Sequence, residues 1–283
     1  MKSEREDDFQ VASSTQSAFQ LTSADIRTHY DDFSWVYRFY WGEHIHHGLF
    51  PTGDETAAEA QELLLRYCAQ LAGVAPGMHV ADVGCGHGGT SWFLSREYRC
   101  RVFGLTISKS QFRIATERMR LLPDPASVRI EHGDAEAYFF PAGSFDLIWN
   151  MESWEHFFDK QAYLRKAASA LKPGGRLALA AWTGSMQDDV VREIARIFLC
   201  PQLVTTEACA AYIRQSGLRV VHSEEIGPKV ARTWDLCAEQ VKRAQFLLSF
   251  LPQRFRAFAD GVELMREAYR SGKLNYIVIV AQK

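Results

Sequence analysis

Between residues 78 and 182 the chain alternates short apolar runs with polar-faced helical stretches. The runs 78–83, 100–105, 128–132, 145–151 and 176–182 are too short for buried helices and are bounded by turn residues, so each reads as a strand. Between them, 109–122 and 160–171 carry helical spacing, and the glycine-rich loop 84–89 opens a further helix. Repeated strand–helix alternation predicts an α/β fold whose sheet is parallel and covered on both faces. Leu171-Lys172-Pro173-Gly174-Gly175 predicts a helix end and a tight turn before the fifth strand.

The flanks break this rhythm. Residues 1–24 are polar, rich in Ser, Gln and charge, and read as a flexible arm. Residues 25–50 hold Tyr30, Phe33, Trp35, Tyr37, Phe39, Tyr40 and Trp41 at mixed spacing, which predicts helical pieces packed on something apolar. An amphipathic helix follows over 55–71, with Ala57, Ala60, Leu64 and Leu71 on one stripe. Near the other end, 219–225 and 274–282 read as strands. The intervening 228–272 holds Trp234, Leu236, Phe246, Leu247, Leu248, Phe250, Leu251, Phe255, Phe258 and Leu264, too much apolar material for a loop. It predicts a helical cap on the sheet. The expected organisation is an arm (1–24) and one domain (25–283) with a lid (25–50) and a cap insertion (228–272).

Composition narrows the class. The formal net charge is -2, so no basic excess exists to neutralise phosphates and nucleic acid is not an expected partner. No apolar run approaches the roughly 20 residues that span a bilayer, and the first 23 residues lack the apolar core of a secretory signal. None of the six cysteines forms a CxxC pair, which fits a reducing, cytoplasmic setting.

The chemistry concentrates in Val80-Ala81-Asp82-Val83-Gly84-Cys85-Gly86-His87-Gly88-Gly89. Gly84, Gly86 and Gly89 satisfy GxGxxG, the dinucleotide fingerprint, and Gly84, Gly86 and Gly88 equally satisfy GxGxG, which resembles motif I of class I methyltransferases. An NAD enzyme wants an acid about 20 residues on, at the end of the second strand. That place reads Gly104-Leu105-Thr106. An acidic Asp82 two residues before the first glycine, Gly133-Asp134-Ala135 after the third strand and Leu171–Gly175 before the fifth all favour the methyltransferase reading. An NAD-linked oxidoreductase and a non-catalytic cofactor-binding module remain as rivals.

Gly104-Leu105-Thr106-Ile107-Ser108-Lys109-Ser110-Gln111 is similar to the subgroup that includes cyclopropane fatty acid synthases and tocopherol methyltransferases. Trp41-Gly42-Glu43-His44-Ile45-His46-His47-Gly48, Glu152-Ser153-Trp154-Glu155-His156 and 264–273 resemble the gamma-tocopherol methyltransferase family and related bacterial natural-product methyltransferases. The resemblance covers roughly 25–283. It implies a Rossmann-like, seven-stranded, mostly parallel sheet whose last strand is antiparallel beside the fifth. It also implies S-adenosyl-L-methionine as cofactor and S-adenosyl-L-homocysteine as product, while the aromatic lid and cap favour a small, largely apolar acceptor such as a phenol, a quinol or a natural-product hydroxyl, amine or carbon.

Residue by residue, the resemblance implies that Gly84, Gly86 and Gly88 face the methionine part of the cofactor, with Asp82 behind the loop. Thr106, Ile107, Ser108 and Gln111 contact the ribose, Asp134 and Ala135 the adenine. Tyr30, His46 and His47 close over the carboxylate end, and Met151, Glu152 and His156 lie where cofactor and acceptor meet. Physically, Asp82 also suits a cap and Asp134 a turn. His44, His46 and His47 invite a metal, but no nearby Cys or carboxylate pattern completes a site, so a lid wall is expected. His156 is either the base that takes an acceptor proton or a packed histidine, with Glu152 orienting it or, for a carbon acceptor, stabilising positive charge.

Overall fold

The computed structural model describes residues 20–248, 250 and 253–283, without the side chains of 39, 40, 245–248 and 254. The arm up to residue 19, the Phe246, Leu247 and Leu248 side chains and Leu251 therefore lie outside the described residues. Thr22 and Asp25 form a capping box that starts α1 (Ser23–Tyr40) two residues before the expected domain boundary. A second box, Thr56 with Glu59, starts α2 (Ala57–Ala72).

Strand and helix then alternate: β1 (His79–Val83), α3 (Gly89–Tyr98), β2 (Arg101–Thr106), α4 (Lys109–Met119), β3 (Val128–His132), β4 (Phe145–Met151), α5 (Lys160–Ala170) and β5 (Leu171–Gly184). After them come α6 (Asp189–Ile197), α7 (Thr206–Gln215), β6 (Arg219–Glu225), α8 (Gly227–Val230), α9 (Arg232–Leu248), α10 (Gln253–Arg270) and β7 (Leu274–Gln282). The strands order β3-β2-β1-β4-β5-β7-β6. β1 to β5 pair in parallel, and β7 runs antiparallel between β5 and β6. The expected seven-stranded sheet and its antiparallel last strand are both present.

Alternate strand residues feed two cores, as a pleat requires. Val80, Leu147, Trp149, Ala178 and Ala180 point to the face covered by α2, α3 and the cap. Ala81, Val83, Leu105, Ile148, Leu177 and Leu179 point to the face covered by α5 and α7. The helices α6 and α7 fall in a stretch to which no element was assigned from the sequence.

Within the lid, α1 lies across the start of α4. Asp31 Oδ1 accepts from Ser108 Oγ at 2.6 Å and from Ser110 N at 2.8 Å, a carboxylate at a helix N-terminus. The cap is the pair α9–α10, and its Trp234, Phe255 and Phe258 are buried. Trp35 and Phe250, two of the aromatic residues assigned to the lid and cap, are exposed instead.

Candidate active site

In an open parallel sheet the carboxyl ends of the strands, flanking the point where the strand order reverses, form a natural crevice. Here β1 and β4 are neighbours at that point, and a cleft lies at their ends under α1 and the loop after it. Tyr30, His46, Asp82, Gly84, Gly86, Thr106, Ile107, Gln111, Asp134, Ala135, Met151, Glu152 and His156 line it. Three of the expected residues do not. Gly88 packs away from it, Ser108 caps α4 by accepting from Gln111 N, and His47 stands behind Glu152.

The loop glycines do different jobs, although Gly84, Gly86 and Gly88 all adopt positive φ. A Cβ on Gly84 would sit 2.2 Å from Ser153 Cβ, and one on Gly88 3.0 Å from Met119 Cε, so both are needed for close packing. A Cβ on Gly86 would meet only Ile45 Cδ1, at 4.0 Å. Gly86 is thus the glycine that keeps the cleft open.

The polar groups of the cleft are already oriented. Ser91 Oγ donates to Asp82 Oδ2 at 2.6 Å, and burial pushes the Asp82 carboxyl up to about 7. Thr106 Oγ1 donates to Gln111 Oε1 at 2.8 Å, which leaves the amide NH2 of Gln111 as its free end. Asp134 Oδ1 accepts from Glu136 N, so the residue makes the turn and also lines the cleft.

Behind the cleft lies a small cage shared through Tyr30, Ile45, His46, Glu152 and His156. Tyr37, Trp41, Trp182, Phe198, Trp234 and Phe258 complete its walls. Glu152 follows β4 with φ 49°, a conformation rare outside glycine that the surroundings must enforce. Its Oε1 accepts from His47 N at 2.6 Å and Tyr276 Oη at 2.9 Å, and its Oε2 from His47 Nδ1 and Trp182 Nε1, each at 2.9 Å. Trp234 Nε1 donates to His47 Nε2 at 2.7 Å, so the His47 proton is on Nδ1 and both ring nitrogens are used. Burial opposes ionisation of Glu152, but the N–H donors of the His47 ring and the Trp182 indole outweigh it and hold the carboxyl below its usual range.

His156 is also fixed. Its Nδ1 donates to the Leu199 carbonyl at 3.0 Å, which leaves Nε2 to accept from Tyr30 Oη at 2.7 Å. Leu199, like Glu152, takes a positive φ, 55°. Burial lowers the His156 ring to about 4, so at neutral pH it is an uncharged base. Burial likewise pushes the Tyr30 phenol well above its usual range. Among the described residues no group of three or more His, Cys, Asp and Glu side chains is placed to hold a metal ion.

Glu155, in the same segment, was not singled out from the sequence. It lines the cage, accepts from Trp182 N at 2.7 Å, and leaves its Oε2 without a partner. Burial and the nearby Glu152 push it up to about 8. Two acids three residues apart after a buried strand were the available signal. Trp182 and Tyr276 were invisible as site residues because they sit inside β5 and β7.

Seven strands in this order, with the cleft at the strand ends, define the architecture of class I methyltransferases. The mycolic acid cyclopropane synthetase profile matches residues 18–275, and the chain belongs to that family. Its activity is S-adenosylmethionine-dependent methyl transfer. Among its relatives is 27-O-demethylrifamycin SV methyltransferase of Amycolatopsis mediterranei (strain S699), 29% identical and covering 93% of this chain and 98% of that protein. A probable chloroplastic tocopherol O-methyltransferase of Oryza sativa subsp. japonica is 28% identical, covering 90% of this chain and 76% of the other. The fold superposes on mycolic acid cyclopropane synthase CmaA1, solved with SAH and CTAB. The TM-score is 0.84 at 22% identity, with 94% of this chain and 99% of that one covered.

The cleft fits the cofactor this family uses. Gly86 leaves room at the loop, and the free Gln111 amide, Asp134 and several unpartnered histidine nitrogens supply polar ends. No helix among the described residues is long and apolar enough to cross a membrane.

Proposed function

We propose that the cleft holds S-adenosylmethionine and that the cage behind it receives the reactive end of a small lipophilic acceptor. The observation that carries this reading is a row of three cavities that share walls. The cleft and the cage share Tyr30, Ile45, His46, Glu152 and His156, and the cage shares Trp41, Thr233 and Phe258 with an apolar groove of about 680 Å³ between α1, α9 and α10. A groove of that size suits a drug-sized apolar body, with only its head reaching the cage. The names of the relatives, a rifamycin and a tocopherol methyltransferase, support an acceptor of that kind.

In this reading Gly86 admits the cofactor against the backbone, the Gln111 amide donates to a ribose hydroxyl, Asp134 and Ala135 meet the adenine, and Asp82 braces the loop through Ser91. The bound cofactor supplies a methyl group already activated on a sulfonium, so the protein chiefly positions the acceptor and excludes water. For a hydroxyl acceptor, the Tyr30 oxygen takes the acceptor proton while the Tyr30 proton passes to His156 Nε2. His156 ends as an imidazolium whose Nδ1–H stays on Leu199. Tyr30 is thus a link to the base, in place of the carboxylate contact the resemblance implied. Glu152, with four donors on it, is an orienting group for His47, Trp182 and Tyr276.

A second reading rests on the aromatic walls and the ionised Glu152. Together they favour positive charge, as would develop on carbon or nitrogen during methylation. Incubating the protein with methyl-labelled S-adenosylmethionine and a panel of phenols, quinols, terpenoid alkenes and hydrophilic amines tests both readings. Label is expected in the lipophilic compounds. Transfer chiefly to hydrophilic, charged amines would refute the lipophilic acceptor.

A further inference from the structure

Four buried ring nitrogens lining the cleft have no partner: Nδ1 of His44, Nε2 of His46 and both nitrogens of His87. Each of these rings is at least nine-tenths buried. Buried polar atoms are ordinarily matched, and unmatched ones gathered in one cavity mark a place where a ligand supplies the partners. The loop carrying His44 and His46 is itself fixed, because Gln61 Nε2 donates to both of their carbonyls, at 2.8 and 3.2 Å. His87 stands in the glycine loop just before α3, whose N-cap Gly88 provides no side-chain cap.

The protonation pattern says what the ligand must offer. His46 Nδ1 lies 2.7 Å from the His47 carbonyl and so carries the proton, leaving a lone pair on Nε2. That atom calls for a donor. A neutral His87 has one N–H and one lone pair, and so calls for an acceptor as well. Burial, with Arg38 and Arg118 nearby, lowers His87 to about 4, and burial, His46 and Arg118 lower His44 to about 2, so these rings are uncharged. The other two residues expected at this end are occupied, Tyr30 by His156 and His47 by Glu152 and Trp234.

We propose that His46 and His87, backed by His44, clamp the amino-acid zwitterion of the cofactor, His46 Nε2 accepting from the ammonium and a His87 N–H donating to the carboxylate. This rests on the methyltransferase reading of the cleft and assigns its anionic end to the glycine-loop histidine. The positive end of α3, which begins at Gly89 and has no side-chain cap, adds to the field that favours the carboxylate.

Calorimetry with two ligands tests the clamp: S-adenosylhomocysteine, and 5′-methylthioadenosine, which keeps the nucleoside and thioether but has no amino-acid end. His46→Ala and His87→Ala are each expected to weaken S-adenosylhomocysteine at least about tenfold while leaving methylthioadenosine within about twofold. His46→Gln, whose amide oxygen still accepts, is expected to keep most of the affinity. Equal losses for both ligands would mean that the rings merely hold the loop, and no loss would mean that they touch nothing; either result overturns the clamp. Wild-type protein that binds both ligands equally would overturn the clamp but leave the cofactor site standing. Binding of neither ligand would overturn both.

Discussion

The floor of the cleft and its roof are built on different principles. The floor is mostly local: Asp82, the glycine loop, Thr106 to Gln111 and Asp134 each lie at the end of a strand, and the side-chain bonds of Asp82, Thr106 and Asp134 run to residues within ten positions in sequence. The roof and cage are assembled from afar. Glu152 is held by His47, Trp182 and Tyr276, and His47 in turn by Trp234, contacts that span up to 187 residues. Removing a polar side chain of the floor strands only a nearby partner. Removing Glu152 or His47 strands partners on several segments at once.

Substitutions that separate these two behaviours give the sharpest tests. The largest effect is expected at the floor, where Gly86→Val fills the opening and abolishes S-adenosylhomocysteine binding in calorimetry, while its cost in stability is limited to the strain of a side chain at φ 54°, about 1–3 kcal/mol. Gly84→Val should do the reverse, clashing with Ser153 and lowering stability. If Gly86→Val binds normally, the cleft is not the cofactor seat. In the roof, Glu152→Ala strands four buried donors and is expected to cost about 3–5 kcal/mol of stability in urea unfolding. A loss below about 1 kcal/mol would mean that the network is not worth its geometry.

His156 tests the join between the two regions. His156→Ala should retain cofactor affinity and lose turnover by about 10²-fold. Because only the neutral ring is a base, the ratio of wild-type to His156→Ala turnover, which cancels the Asp82 titration near 7, should hold steady as pH falls from 7 to 5 and decline as it passes through about 4, where the buried ring takes a proton. A decline centred near the ordinary histidine value would mean that the ring is not desolvated in the working enzyme. Full turnover in His156→Ala would favour a carbon or neutral amine acceptor. The smallest effect is expected at the ribose: Gln111→Ala should weaken S-adenosylhomocysteine by about 1–3 kcal/mol, the cost of one unmatched polar contact.

The same contrast explains what could be read from the chain. Strand ends carry local signals, so the glycine loop, the Thr106–Gln111 string and the succession of strands along the chain were legible, and 128–132, 145–151, 219–225 and 274–282 match the observed strands residue for residue; the antiparallel last strand beside the fifth came from the family resemblance. The cage was not, because what makes Trp182, Tyr276 and Trp234 site residues is where the sheet and cap bring them, and within their own segments they look like core. Glu155 and His87 lie inside the segments that carry the family resemblance, yet their unpartnered atoms appear only once burial is known. Gly88 and Ser108 match the motif, but their contacts are with Met119 and with Gln111 and Asp31.

In the proposed function one ligand lies between this floor and this roof. Hydrogen exchange with and without S-adenosylhomocysteine, read by mass spectrometry over residues 25–50 and 84–89, tests it most directly. Protection is expected to rise in both segments together, the lid slowing because α1 and the histidine loop close on the ligand held by the glycine loop. Protection confined to 84–89, with 25–50 unchanged, would contradict a roof that takes part in binding.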